Sequence, residues 1–134
     1  MLCAVPSDRF EVRICRNPQH NSLYTGFAAP DAPLDDWSAF DTQSFQITTG
    51  GSQLFERGIG GPVGKSDIRE NAVVSVAKDF VHRALVFCVD GNELFDENGK
   101  PYGRRETGLR AEQFAALVGA VALWWKDDEV EIVQ

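Results

Sequence analysis

Apolar and polar positions alternate along the first half of the chain and take a wider spacing in the second. Phe10, Val12 and Ile14 alternate with Glu11, Arg13 and Cys15, a period of two that suits a half-buried strand. Asn17-Pro18-Gln19-His20-Asn21 is turn chemistry, and Leu23, Thr25 and Phe27 then resume the alternation. Residues 10–28 are therefore expected to form an antiparallel hairpin with a longer loop. Residues 30–41 hold Pro30, Pro33 and four aspartates without a basic residue, and read as a loop pinned by Trp37 and Phe40. Phe45 and Ile47 mark a third strand that Gly50-Gly51 ends, and Leu54-Phe55 opens a fourth.

In the second half, Val73, Val76, Ala77, Phe80, Val81 and Ala84 fall at helical spacing, which predicts a helix over residues 66–84 with Ser66 as its N-cap. Leu85 to Val89 is a continuous apolar run closed by Asp90-Gly91, the pattern of a buried strand. Asn98-Gly99 marks a short hairpin between Leu94-Phe95 and Pro101-Tyr102. Phe114, Leu117, Val118, Val121 and Trp125 again take helical spacing, and Gln113 occupies the capping-box position, which predicts a second helix over residues 110–125. Val130 and Ile132 alternate with Glu129 and Glu131 in a closing strand. The expected fold is one α+β domain over residues 1–134, with an antiparallel sheet of about five to seven short strands packed on those two helices.

Charge narrows the functional classes. The 134 residues carry 13 Lys and Arg against 20 Asp and Glu, a formal charge of −7. That balance opposes direct binding to nucleic acid, which needs a basic surplus to displace counterions. The longest apolar stretch, Phe114 to Trp125, is shorter than the ~20 residues a bilayer span requires. The N-terminus lacks the basic and apolar regions of a secretory signal, and three cysteines suit reduced thiols better than a disulfide framework. The expected setting is cytoplasmic.

Candidate chemistry is sparse. Gly58 to Ser66 ends in Gly-Lys-Ser before a predicted helix, and resembles the phosphate-binding loop of P-loop nucleotidases. The resemblance implies a phosphate or nucleotide held by Gly60, Gly61, Gly64, Lys65 and Ser66, with Arg57 as a second cation. The spacing departs from that motif, since Ile59 stands where its first glycine belongs. His82 lies three residues after Asp79, the pairing of an oriented base, but no nucleophile motif accompanies it. Cys3, Cys15, His20 and Cys88 lack zinc-ligand spacing, and the segment 90–99 fails the calcium-loop pattern because Leu94 falls on its first ligand position. No catalytic or metal-binding residue is assigned, no cofactor is expected, and the reading leans away from an enzyme.

The acidity itself is uneven. Residues 31–41 carry −4 and residues 126–134 carry −3, so these two segments hold the whole net charge. Tryptophan flanks both. Acidic patches steer association with basic partners, and interface hot spots favour Trp. Asp31, Asp35, Asp36, Trp37, Asp41, Trp124, Asp127, Asp128 and Glu129 are therefore the expected partner-binding residues. The expected role is non-catalytic protein binding of an inhibitor, immunity or phage anti-defence type, directed at a protein with a basic or nucleic-acid-binding surface. A small-ligand protein using the glycine-rich loop is the alternative.

Overall fold

The computed structural model describes residues 2–19, 23–64 and 68–133. Within them the chain forms two antiparallel sheets that share one apolar core, a β-sandwich. The first sheet has the order β1-β11-β3-β4-β5-β6: β1 is Leu2–Val5, β11 Val118–Leu123, β3 Leu23–Ala28, β4 Ser44–Thr48, β5 Leu54–Glu56 and β6 Ile59–Gly60. The second has the order β10-β8-β7-β2-β12: β10 is Arg104–Glu106, β8 Ala84–Val89, β7 Val73–Asp79, β2 Arg9–Arg16 and β12 Glu129–Val133. A two-residue strand, β9 (Asn92–Glu93), pairs with β8. The helices among the described residues are short: α1 (Trp37–Asp41), α2 (Ala111–Ala116) and a 3-10 turn at Gly50–Ser52.

This architecture overturns the expected sheet on two helices. Residues 73–89 are the hairpin β7–β8, not part of a helix over 66–84. The β-branched residues decide it: Val74 and Val76 are fully buried, while Val73, Ser75 and Ala77 take the other face, a period of two. The helical spacing came from Phe80, Val81 and Ala84, which lie in and after the turn. Val81 is 86% exposed, so it belongs to no buried helical face. The Asp79 carboxylate shapes this turn by accepting from the N–H groups of Val81 (3.0 Å) and His82 (3.3 Å).

The predicted helix over 110–125 is half helix and half strand. Its start is as expected, with the Arg110 N–H donating to Gln113 Oε1 at 3.1 Å. It ends at Leu117, and Val118–Leu123 becomes β11 between β1 and β3. Gly119 fits this position because β11 passes under a core ring. A Cβ there would lie 2.7 Å from Phe10 Cε1 and 2.7 Å from the Val5 carbonyl oxygen.

Strands β2 and β3 form where the alternation predicts them but do not pair as a hairpin. They lie in opposite sheets, and their apolar residues face each other across the core, where the Phe10 and Phe27 rings meet edge to face at 5.5 Å. The end of β2 is tied down from outside any hairpin. The Asn17 N–H donates to Glu70 Oε1 at 3.0 Å and Asn17 Nδ2 donates to Asp128 Oδ1 at 2.9 Å. The strands predicted at Phe45-Ile47, Leu54-Phe55, Leu85-Val89 and Val130-Ile132 are all present.

Candidate functional site

A second, smaller apolar cluster sits on the outer face of the first sheet and organises the candidate site. The loop expected over residues 30–41 contains one turn of helix, α1, because Asp36 caps it: Asp36 Oδ1 accepts from the Ala39 N–H at 3.2 Å. That turn drives Phe40 onto Ala28, Ala32 and Ala120, whose small side chains leave room for the ring. Trp37 packs against the same cluster.

From Trp37 a chain of aromatic contacts runs across the sheet. Its ring centroid lies 5.0 Å from Tyr24, 5.8 Å from Phe40 and 5.4 Å from Trp124, and Tyr24 lies 5.7 Å from Phe55. Trp37 and Trp124 are 87 positions apart in sequence, one within the first acidic segment and the other just before the second, and the fold brings them together in one edge-to-face contact. Trp124 remains 52% exposed and Trp125 43% exposed. Asp31, Asp35, Asp36, Asp127 and Glu129 are exposed beside these rings in sequence, as is Lys126. Tyr24 and Phe55 belong to the cluster and were not singled out from the sequence. The available signal was the outward position of Tyr24 between the inward Leu23 and Thr25.

Two acidic residues have inward roles. Asp128 is buried: Oδ1 accepts from Asn17 and Oδ2 accepts from the Trp125 N–H at 3.1 Å, so its carboxylate holds the β11–β12 turn instead of facing a partner. Asp41 is half-buried at the end of α1, where desolvation pushes its carboxyl above the ordinary carboxylate value of 3.8.

Among its described residues, 58–64, the glycine-rich loop does not have the geometry of a phosphate cradle. The Gly61 N–H donates to the Leu54 carbonyl at 2.6 Å and the Gly64 N–H to the Gly51 carbonyl at 2.7 Å, so both amides are engaged within the protein. Gly60 ends strand β6. Gly64 lies against Tyr102, since a Cβ there would collide with the Tyr102 hydroxyl and the Ser52 side chain. The next regular element is strand β7, so the helix N-terminus that the reading required is not present among the described residues. Lys65 and Ser66 lie outside the described residues.

The remaining candidates resolve into local structure. His82 Nδ1 meets Asp79 Oδ2 at 3.0 Å, and Arg104 pairs with the same carboxylate, so the pair sits in a hairpin turn. Arg105 pairs with Glu56 at 2.8 Å, and Arg110 meets Glu112 at 3.3 Å on the surface. Cys3, Cys15 and Cys88 are free thiols, and no metal-ligating group of three or more side chains occurs among the described residues. His20 lies outside the described residues. No helix among them is long and apolar enough to cross a membrane.

No protein-family model matches the chain, and no curated protein matches it. Solved structures do. A human SPRY domain is 14% identical over 98% of this chain and 82% of that one, with a TM-score of 0.71. The SPRY domain of human HERC1 is 13% identical over 99% of this chain and 77% of that one, with a TM-score of 0.62. At these identities the likeness is one of fold: the two-sheet sandwich is SPRY-like, in place of the α+β arrangement expected from the sequence.

Proposed function

We propose that this domain recognises another protein through the face built on Trp37 and Trp124. The observation that carries the reading is the contact between those two rings, which brings Trp37, partly buried within one acidic segment, and the half-exposed Trp124, just before the other, onto one surface. Aromatic anchors ringed by charge are the composition of interface hot spots. SPRY-like sandwiches commonly mediate protein–protein interaction, which agrees with this use of the scaffold. The exposed carboxylates favour a partner with a basic surface, whose arginines can also stack on tryptophan faces.

The test is affinity capture with wild-type protein and a Trp37→Ala/Trp124→Ala double variant, at low and raised salt, after calorimetry has established that the variant folds. The expected result is a basic partner retained by wild type, released by salt, and lost from the double variant. Equal capture by both proteins, or capture indifferent to salt, refutes the assignment of the face.

A further inference from the structure

A second surface, which meets the Phe40 cluster only at Ala29, lies where α2 meets the segment that follows β3. Two cavities of about 340 and 270 Å³ open there, and both are lined by Ala29, Leu109 and Leu117, so they adjoin along one apolar floor. Their far ends differ in charge. Asp31 and Glu112 line only the first, and Arg57 lines only the second. The Arg57 guanidinium lies over the Phe45 ring at 5.6 Å and has no carboxylate within ion-pair distance among the described residues. Asp31 likewise has no ion-pair partner among them, and Glu112 meets only the highly exposed Arg110, a pair readily exchanged.

The backbone at Arg57 adds an independent observation. Glu56 and Ile59 pair across a two-residue turn in which Arg57 has φ +51° and Gly58 φ +82°. A turn with two positive φ angles favours Asn, Asp or Gly at its first position. Arginine there is conformationally disfavoured, and its side chain is directed along the groove wall where a cation is useful.

We propose that the two cavities form a single groove that holds an extended segment of a partner polypeptide. An apolar side chain rests on Leu109 and Leu117, a basic side chain lies between Asp31 and Glu112, and an Asp or Glu side chain reaches Arg57. The apolar floor supplies burial and the opposed charges set the direction of the chain. A polypeptide fits because both cavities open to solvent, so a chain can enter at one charged end and leave at the other. The proposal shares with the previous section the premise that the domain binds proteins and the exposed carboxylate of Asp31.

The probe is a synthetic set of N-acetylated, C-amidated heptapeptides, each with one Lys, one Leu and one Glu at varied spacing and order, read by fluorescence anisotropy. Saturable binding of one order over its reverse is expected. Replacing the peptide Glu by Gln should weaken it at least tenfold. Arg57→Asn should weaken it at least tenfold while leaving Tm unchanged or higher, and Arg57→Lys should retain most of it. The Arg57→Asn protein should still capture the salt-sensitive basic partner as wild type does, so the groove and the aromatic face fail separately. The proposal is overturned if no peptide binds, if both orders bind equally, or if the Asn variant binds as wild type does.

Discussion

Gly119→Ala distinguishes the observed sandwich from the helical alternative by the sign of its effect on stability. In the interior of a helix, glycine to alanine stabilises by about 0.8–1 kcal/mol. In β11 the new methyl would lie 2.7 Å from Phe10 Cε1 and 2.7 Å from the Val5 carbonyl oxygen, where unstrained carbon contacts lie about 3.5–4.0 Å apart. Neither neighbour retreats easily. Val5 is fixed by its pairing with Gly119 across β1 and β11, and the Phe10 ring is 1% exposed and wedged against Phe27. Overpacking of this kind costs about 1–3 kcal/mol, and two rigid contacts place it in the upper half of that range. The loss of glycine's unfolded-state entropy offsets about 0.5 kcal/mol. A net loss of about 1.5–2.5 kcal/mol corresponds to a Tm lower by about 6–10 °C for a domain of this size. Calorimetry and urea titration read it directly. Phe10→Leu, which removes Cε1, should recover about 1 kcal/mol of the Gly119→Ala penalty in a double-mutant cycle. A stabilising Gly119→Ala, or a cycle with no coupling, refutes the packing argument.

Two further outcomes follow from buried polar groups. Asp128→Ala removes the acceptor for Asn17 Nδ2 and the Trp125 N–H inside the protein, so it should cost about 2–3 kcal/mol by urea titration, whereas Asp127→Ala on the exposed side of the same turn should stay within about 0.5 kcal/mol. The Tyr102 hydroxyl donates to the Ser52 carbonyl at 2.7 Å, and burial, aided by the Asp96 charge, pushes its pKa up from 10.0 to about 12. The folded value lies above the unfolded one, so this contribution is complete below pH 10 and is lost as pH rises towards 12. Tyr102→Phe should therefore lower stability at neutral pH by about 1 kcal/mol and flatten the alkaline fall in Tm. Equal alkaline curves for the two proteins count against that cause.

The fold was legible wherever a strand exposes one face to water. Phe10, Val12 and Ile14 gave a clean period of two because Glu11, Arg13 and Cys15 face outward, and β5, β8 and β12 appeared in the pattern for the same reason or as closed apolar runs. It was illegible where both faces of a strand carry apolar residues, unlike β4, which is buried throughout yet alternates Ser44, Gln46 and Thr48 with Phe45 and Ile47. Residues 118–123 are apolar throughout because the core lies on one side of β11 and the Phe40 cluster on the other, so any apolar period fits them. In residues 73–84 a strand and its turn together reproduced the spacing of a helix. The β-branched run Val73-Val74, with Val76, was the signal that favoured the strand. Pairing was less legible still. Nothing local distinguishes a hairpin from a crossover between sheets, and the β2–β3 connection is decided by distant ties from Asn17 to Glu70 and Asp128.

The candidate site was legible as composition and not as geometry. Two acidic segments flanked by tryptophan stand out in the sequence, yet their meeting depends on β11 lying beside β3, the element that periodicity misassigned. Once Val118–Leu123 is a central strand, Trp124 emerges at its end beside the segment that carries Trp37, and the aromatic contact follows from topology. The same step separates the acids by role. The carboxylate of Asp128 is drawn inward because the turn after β11 needs an acceptor for the Trp125 N–H, while Asp127 and Glu129 on either side stay exposed. Net charge thus overstates the contact face: of the seven acids predicted to meet a partner, the five left exposed are Asp31, Asp35, Asp36, Asp127 and Glu129, and the salt dependence of partner capture should scale with those five.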